Sequence, residues 1–450
     1  MAGTVTDGKG ASTDLDYASA AVPPDGRMPK GALTMAWWAV CSAMFYIVVA
    51  ATLALNFGAR NAMIGMALSV VAYGLINGVL SRYAIRTGLS VALFSRVLFG
   101  NIGAAIATLI FFATATYYAV FEGSVIAVAL SHVFPSLGYE LAALVVVLYS
   151  VALIFGSIQH WLDKLNGVLL PFYALGLLAA IVLTIATYGY SHAWLDMGPA
   201  GGAPANGWWS CFVYFMGVWI LMMYTFDYAR FGRKEDADYH ARFNFGMPFY
   251  LVTFFLNGVA GIFLASSIPT EGALSEVSVV LALLQLMGIW GLVFVWVTQT
   301  RINTANFYLA AVNMESFFQL VAGLSFSRIV WAVVVGAIVY GLMLADVFGW
   351  ILQALAYQGI FVVAWVAIAL GHILLTRDGG VVEYRSDRVP AFDPNGLIAW
   401  FAAAAVGVVL LEAGGSFAGF SAPATAVVAG LVYLLLRSKA RRGRLAGETA

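Results

Sequence analysis

From residue 32 onward the chain alternates between apolar blocks and short polar connections, and each block is close to the ~20 residues an α-helix needs to cross a bilayer. About twelve blocks can be marked, near 32–57, 62–81, 102–132, 139–158, 167–188, 208–226, 244–267, 280–312, 327–346, 350–375, 394–413 and 419–436. The eighth is too long for one crossing, which predicts a short re-entrant or surface piece after Thr270 and Glu271. The same block holds the densest polar stretch inside an apolar run, from Trp296 to Tyr308. On a helix, Gln299, Asn303 and Asn306 fall on one face, and Thr298, Arg301 and Ala305 on a neighbouring one. A polar stripe at that depth must face protein or water, because an unpaired polar group in hydrocarbon costs about several kcal/mol. Carboxamides in spans serve as interhelical glue. Arg301 adds a functional reading, since intramembrane charges mark substrate and ion paths.

Few other residues are strongly polar within the blocks. In the third, Glu122 stands one turn after Tyr118 on the same face, and Tyr117 pairs likewise with Phe121. A lone Glu in hydrocarbon is either protonated or paired with a cation. Arg301 is the only basic residue placed inside a span, so a buried Glu122–Arg301 salt bridge is expected, as a tie between helices or as a pair rearranged by substrate or proton. Both readings put the two residues close together. The sixth block starts with Trp208 and Trp209, suited to interface anchoring, and contains Gly217-Val218-Trp219, a backbone weak point beside a large flat ring. In the first block, Cys41, Ser42 and Ala43 are small, but no Gly or Pro lies between Leu33 and Phe57. Asn77, Gln159 and Asn257 read as packing or helix-end groups, and the five histidines fall at or beyond span ends with no ligand cluster.

Composition agrees with this class. With 62% hydrophobic residues, 10% charged and a mean hydropathy of +0.90, the chain has far fewer charges than the roughly 25% of a soluble globule. The net charge is zero, yet the basic residues are unevenly placed. Arg27 and Lys30 precede the first block; Arg82, Arg86 and Arg96 follow the second; Lys164 follows the fourth; Arg230, Arg233, Lys234 and Arg242 follow the sixth. Arg328, then Arg377, Arg385 and Arg388, then the run from Arg437 to Arg444 continue the alternation, and the other side holds only Arg60. This positive-inside pattern predicts an even number of spans and cytoplasmic termini in a plasma (inner) membrane protein. The C-terminal basic run then reads as an anchor near anionic lipid and not as a nucleic-acid patch. Residues 1–30, polar and without a signal-peptide pattern, read as a disordered cytoplasmic tail, and 437–450 as a basic cytoplasmic tail. Cys41 and Cys211 lie in apolar stretches, so neither a disulfide nor a metal site is expected.

No nucleotide-binding loop, metalloprotease or hydrolase motif occurs, and the longest polar connections, 227–242 and 377–393, are too short to house a catalytic domain. Polarity clusters at mid-membrane instead of forming a continuous path, which favours an occluded transport site over a channel. Three stretches, Ser95-Arg-Val-Leu-Phe-Gly100, Asp227-Tyr-Ala-Arg230 and Asn303-Thr-Ala-Asn306-Phe-Tyr308, resemble the nucleobase:cation symporter family of cytosine, purine, hydantoin and allantoin permeases. The resemblance implies an all-α LeuT-type fold: inverted repeats over 31–190 and 191–376, a cytoplasmic loop over 377–393, two further spans over 394–436, and broken first and sixth helices. It implies a monomeric importer of a small planar heterocycle, without cofactor. Tyr118 would stack on the ring, Trp219 or the Gly217 backbone would flank it, Glu122 would meet ring nitrogens, and Asn303 or Asn306 would read its edge; Tyr117 and Gln299 are further candidates. Sodium-coupled members carry adjacent hydroxyls where this chain has Thr300 and Arg301, and a guanidinium cannot ligate sodium. Proton coupling through Glu122 is therefore expected, with Arg301 as a built-in cation. A shifted register would make Thr298 and Thr300 ion ligands, and Ser42 of the first span is a further candidate. Vitamin precursors and ureides suit the same chemistry.

Overall fold

The computed structural model describes residues 20–154, 157–269, 274–275, 277–324, 326–345, 348–375, 384 and 386–448. The tail up to residue 19, Thr270, Glu271, Arg377, Arg385, the side chains of Gln159, His160, Lys164 and Arg328, and those of the basic run beyond residue 438 lie outside the described residues. The described residues form helices and their connections. In order they are α1 (Lys30–Trp38), α2 (Phe45–Phe57), α3 (Ala59–Thr87), α4 (Val91–Phe99), α5 (Ala105–Val133), α6 (Gly138–Leu153), α7 (Ser157–Tyr188), α8 (Gly207–Met216) and α9 (Ile220–Ala229). Then come α10 (Lys234–Ser267), α11 (Ser278–Met287), α12 (Ile289–Ala322), α13 (Arg328–Met343), α14 (Ile351–Leu375), α15 (Pro394–Ala413) and α16 (Ser421–Glu448).

Nine helical stretches among the described residues are long and apolar enough to cross a membrane, or ten when α1 and α2, bent by 40°, are taken as one span. Two further helices, the 34-residue α12 with its polar stripe and the 16-residue α13, lie where the hydropathy pattern places its eighth and ninth blocks. The chain is a multi-pass membrane protein. Three boundaries differ from expectation. Within the tail expected to be disordered over residues 1–30, residues 20–30 are ordered, with Val22 buried and the Met28 amide donating to Phe231 O at 2.7 Å. Block 280–312 is divided by Gly288, whose φ of +56° ends the short apolar helix α11 and starts α12, which runs on to Ala322. A positive φ there is open to glycine and strained for other residues. At the C-terminus, α16 continues to Glu448, so the basic run extends the last helix instead of forming a separate tail.

The connections that carry basic residues meet on one face of the bundle. Arg27 donates from Nη1 to the carbonyls of Ile85 and Gly232, both at 2.6 Å, and the Val22 amide donates to Gly88 O at 2.9 Å. On the same face the Asp393 amide donates to Phe99 O at 2.8 Å, and Asp393 pairs with Arg437 at 3.3 Å. The opposite connections tie to one another: Ala59 N–H to Met197 O at 2.8 Å, Arg60 to Asp196 at 3.0 Å, and Trp209 Nε1 to Gly419 O at 2.8 Å. The alternation of charge along the sequence thus corresponds to two separate faces.

Among the described residues, α5 and α12 pack most extensively against each other, and α15 and α16 form a hairpin against α14. Close crossings use glycine. A Cβ on Gly65 of α3 would lie 2.5 Å from the Cys211 Cβ and 2.8 Å from the Phe212 nitrogen of α8, so only a bare Cα permits this approach. Gly65→Val is expected to push α3 off α8 and destabilise the protein by about 1–3 kcal/mol, read as a lower unfolding temperature in detergent.

Candidate functional site

The first crossing breaks without glycine or proline. After α1, residues Ala39–Ser42 form a tight turn, Ala43 is extended (φ −64°, ψ 126°), and α2 begins at Phe45. Backbone groups released by the break are met by side chains from three other crossings. Asn257 Nδ2 of α10 donates to Cys41 O at 2.7 Å, and the Met44 amide donates to Gln299 Oε1 of α12 at 3.1 Å. The Phe45 amide sits against the Glu122 carboxyl of α5. Ser42 folds back on its own turn, with Oγ donating to Ala39 O at 2.8 Å. Irregular backbone at this depth is tolerated only when protein groups satisfy it.

The sixth crossing is interrupted more gently, by one turn over Gly217–Trp219 between α8 and α9. Gly217 is needed here because a Cβ would lie 2.3 Å from Leu355 O of α14. Gln358 of α14 spans the break, donating to Gly217 O at 2.8 Å and to the Tyr118 hydroxyl at 3.2 Å. It thereby fixes the third-span ring against the sixth-span turn.

Between the two breaks lies a cavity of about 420 Å³. Phe45 and Tyr46 close it from the first crossing, Tyr118 and Glu122 from the third, and α12 contributes Arg301 and Asn306. The Phe45 and Tyr118 rings meet edge to face at 5.0 Å. Glu122 is 1% exposed, and its Oε2 has no hydrogen-bond partner among the described residues. The sixth crossing adds Leu221, Tyr224 and Asp227, which recur along one face of α9.

Four expected site residues therefore line the cavity: Tyr118, Glu122, Arg301 and Asn306. The expected Glu122–Arg301 salt bridge is not made, although both residues line one cavity. The start of α2 takes the role that the cation was expected to play, since a helix N-terminus presents donors and a positive dipole end to a carboxyl group. The carboxamide stripe divides. Gln299 caps the first break and also donates to Thr298 Oγ1 at 2.8 Å, while Asn303 donates to Ser150 Oγ at 3.1 Å and keeps its Oδ1 unpartnered among the described residues. Asn306 alone of the three lines the cavity, with the face carrying Arg301, Ala305 and Tyr308. The two candidate ion-binding hydroxyls point apart: Thr298 donates to Phe294 O at 2.7 Å beside Gln299, whereas Thr300 pairs with Tyr149 of α6 at 3.1 Å.

Trp219, Gly217 and Tyr117 are not cavity walls. Trp219 turns towards Tyr73 of α3, ring centroids 6.3 Å apart, and Tyr117 packs on Tyr118 at 5.5 Å. Gln358, Phe45, Tyr46, Tyr224 and the site role of Asp227 were not anticipated. The available signals were an isolated amide beside Gly359, and tyrosines and an aspartate recurring at helical spacing in α9. Replacing Gln299 by Leu leaves the Met44 amide unpaired and is expected to cost about 1–3 kcal/mol, while Gln299→Glu keeps an acceptor and costs less. Denaturant unfolding of the purified protein would rank the two variants.

No family model matches the sequence, and no curated protein matches it. Solved structures do match. Mhp1, a nucleobase-cation-symport-1 family transporter in a closed conformation with bromovinylhydantoin bound, aligns with a TM-score of 0.72 at 16% identity, over 94% of this chain and 96% of that one. The inward-facing conformation of Mhp1 aligns with a TM-score of 0.71 at 17% identity, over 96% and 92%. The Eremococcus coleocola manganese transporter, in complex with an aromatic bis-isothiourea substituted compound, gives 0.53 at 12%, over 95% and 97%. At such identities the likeness is one of fold, and the chain has the all-α fold of these transporters, as the resemblance in its sequence implies.

Proposed function

We propose that this protein is a secondary active transporter that imports a nucleobase or related planar nitrogen heterocycle by cation symport, with the proton as coupling ion. The observation that carries the reading is Glu122: buried, facing the cavity beside Tyr118, with one carboxyl oxygen unpartnered among the described residues. A carboxylic acid there donates a hydrogen bond to a ring nitrogen, and a carboxylate accepts one from a ring N–H. Tyr118 supplies a ring for stacking, and the Asn306 amide offers both a donor and an acceptor to the heterocycle edge. A cavity of about 420 Å³ suits a one- or two-ring compound. Arg301 supports the proton over sodium. Its side chain lines the cavity from α12, and a guanidinium cannot ligate sodium there. The basic loops gathered on one face support cytoplasmic termini in a plasma (inner) membrane. A second reading, a hydantoin-like ureide as substrate, is favoured by the bromovinylhydantoin bound to Mhp1.

The test is uptake by purified protein in liposomes of labelled cytosine, uracil, adenine, hypoxanthine, hydantoin and allantoin, under a pH gradient and separately under a sodium gradient. Accumulation of one compound on the pH gradient alone, lost in Glu122→Gln, is expected. Accumulation only with sodium would reject the proton assignment. For the compound transported, Asn306→Ala is expected to weaken binding by about 1–2 kcal/mol, a five- to thirtyfold rise in KM. Tyr118→Ala is expected to cost about 1–3 kcal/mol through lost stacking, while Tyr118→Phe retains most of the affinity.

A further inference from the structure

The cavity holds a second carboxyl group that the proposed function does not use. Asp227 lies at the far end of α9 from the sixth-span turn, and the face carrying Leu221, Tyr224 and Asp227 lines the cavity from one to the other. Val218 and Asp227 are nine positions apart, so the two ends are about 14 Å apart at ~1.5 Å per residue. Asp227 therefore reaches the face where the basic connections meet, while Glu122 stays at the first break.

Its position is fixed from two sides. Asp227 Oδ1 accepts the Val91 amide at 3.0 Å, in the first turn of α4. That helix is itself anchored, with Phe94 stacked on Phe226 at 4.8 Å and Ser95 Oγ accepting from Trp365 Nε1 of α14 at 2.9 Å. The groups around Asp227 are Tyr224 and Tyr228 on its own helix, Arg230 just past the helix end, and the N-terminus of α4. Arg301 and Tyr308 of α12, with Tyr118 and Glu122 of α5, line the same cavity; the lining residues of α1, Ala36 and Trp37, do not titrate.

We propose that Asp227 is the cytoplasmic proton-exchange group of the transport cycle, a reading that rests on the proton coupling proposed above. The proton leaves the Glu122 carboxylic acid, crosses the cavity through solvent, is taken up by the Asp227 carboxylate and then passes to the cytoplasm. Only O–H bonds form and break: Asp227 returns to the carboxylate, and Glu122, left as a carboxylate, takes its next proton from the opposite side of the membrane with the next substrate. A purely structural cap on α4 needs an acceptor at Asp227 and no ionisation, which separates the two roles experimentally.

Asp227→Asn keeps an oxygen for the Val91 amide and removes the exchangeable proton, whereas Asp227→Ala removes both. In liposomes, labelled-substrate exchange under equal pH needs no net proton movement, while accumulation on a pH gradient does. The ratio of accumulation to exchange is expected to fall about a hundredfold in Asp227→Asn, with a matching loss of substrate-driven proton entry reported by an internal pH dye. Accumulation at the wild-type ratio in Asp227→Asn, or a defect confined to Asp227→Ala, would overturn the proposal and leave a structural cap. Equal loss of exchange and accumulation in Asp227→Asn would overturn it as well. Wild-type protein driven by sodium alone removes the proton reading and this proposal together, an outcome distinct from failure of Asp227 alone.

Discussion

Between Cys41 and Phe45 the backbone of the first crossing gives up helical hydrogen bonds, and at this depth protein must replace them. Asn257, Gln299 and Glu122 do so from three different crossings. Much of the bundle follows from that requirement. Helix α12 must present an amide at the break, and among the described residues it packs more extensively against α5 than any other two helices pack against each other. Helix α5 must bring Glu122 to the start of α2, which places Tyr118, one turn earlier, beside Phe45. The cavity between the breaks is a result of these contacts, and Glu122 serves both the backbone of the break and the cavity.

The crossings and the polar stripe could be read from sequence because each depends on local periodicity. Apolar length identifies a span, and spacing along a helix places Gln299, Asn303 and Asn306 on one face. The distinct uses of the three amides could not be read, since each is set by a partner distant in sequence: Met44 for Gln299, Ser150 for Asn303, and the cavity for Asn306. The first break itself had no local signal. Neither glycine nor proline marks Ala43, and the turn is stabilised by hydrogen bonds from residues more than 200 positions away. The absent Glu122–Arg301 pair has the same origin. Pairing the acid and the base that the sequence places inside spans treats side chains as the only charged or polar partners, whereas a helix N-terminus created by the break offers a partner made of backbone.

The sixth crossing illustrates the opposite case. Gly217 was visible as a weak point, but Trp219 beside it turns to Tyr73 and does not line the cavity. The use of Gly217 is close approach, since the carbonyl of Leu355 occupies the place of a Cβ and Gln358 ties the turn to Tyr118. A change in the angle of α14 therefore acts at once on the sixth-span turn and on the ring proposed to stack on substrate. Glycine at this position couples two helices as much as it loosens one.

On the proposed reading, the link between proton and substrate needs no long-range path. Glu122 touches the backbone of the first break on one side and the cavity on the other. A substrate whose ring nitrogen accepts a hydrogen bond from the carboxylic acid binds the protonated protein more tightly, and by linkage tightens proton binding by the same factor. The same group caps α2, so loss of the proton alters an interaction that holds the broken span in place. One carboxyl group then senses the proton, the substrate and the shape of the first crossing. A sodium ion held by hydroxyls would need a separate contact to report on the ring, and Thr298 and Thr300, hydrogen-bonded in different directions, do not form a shared site in this arrangement.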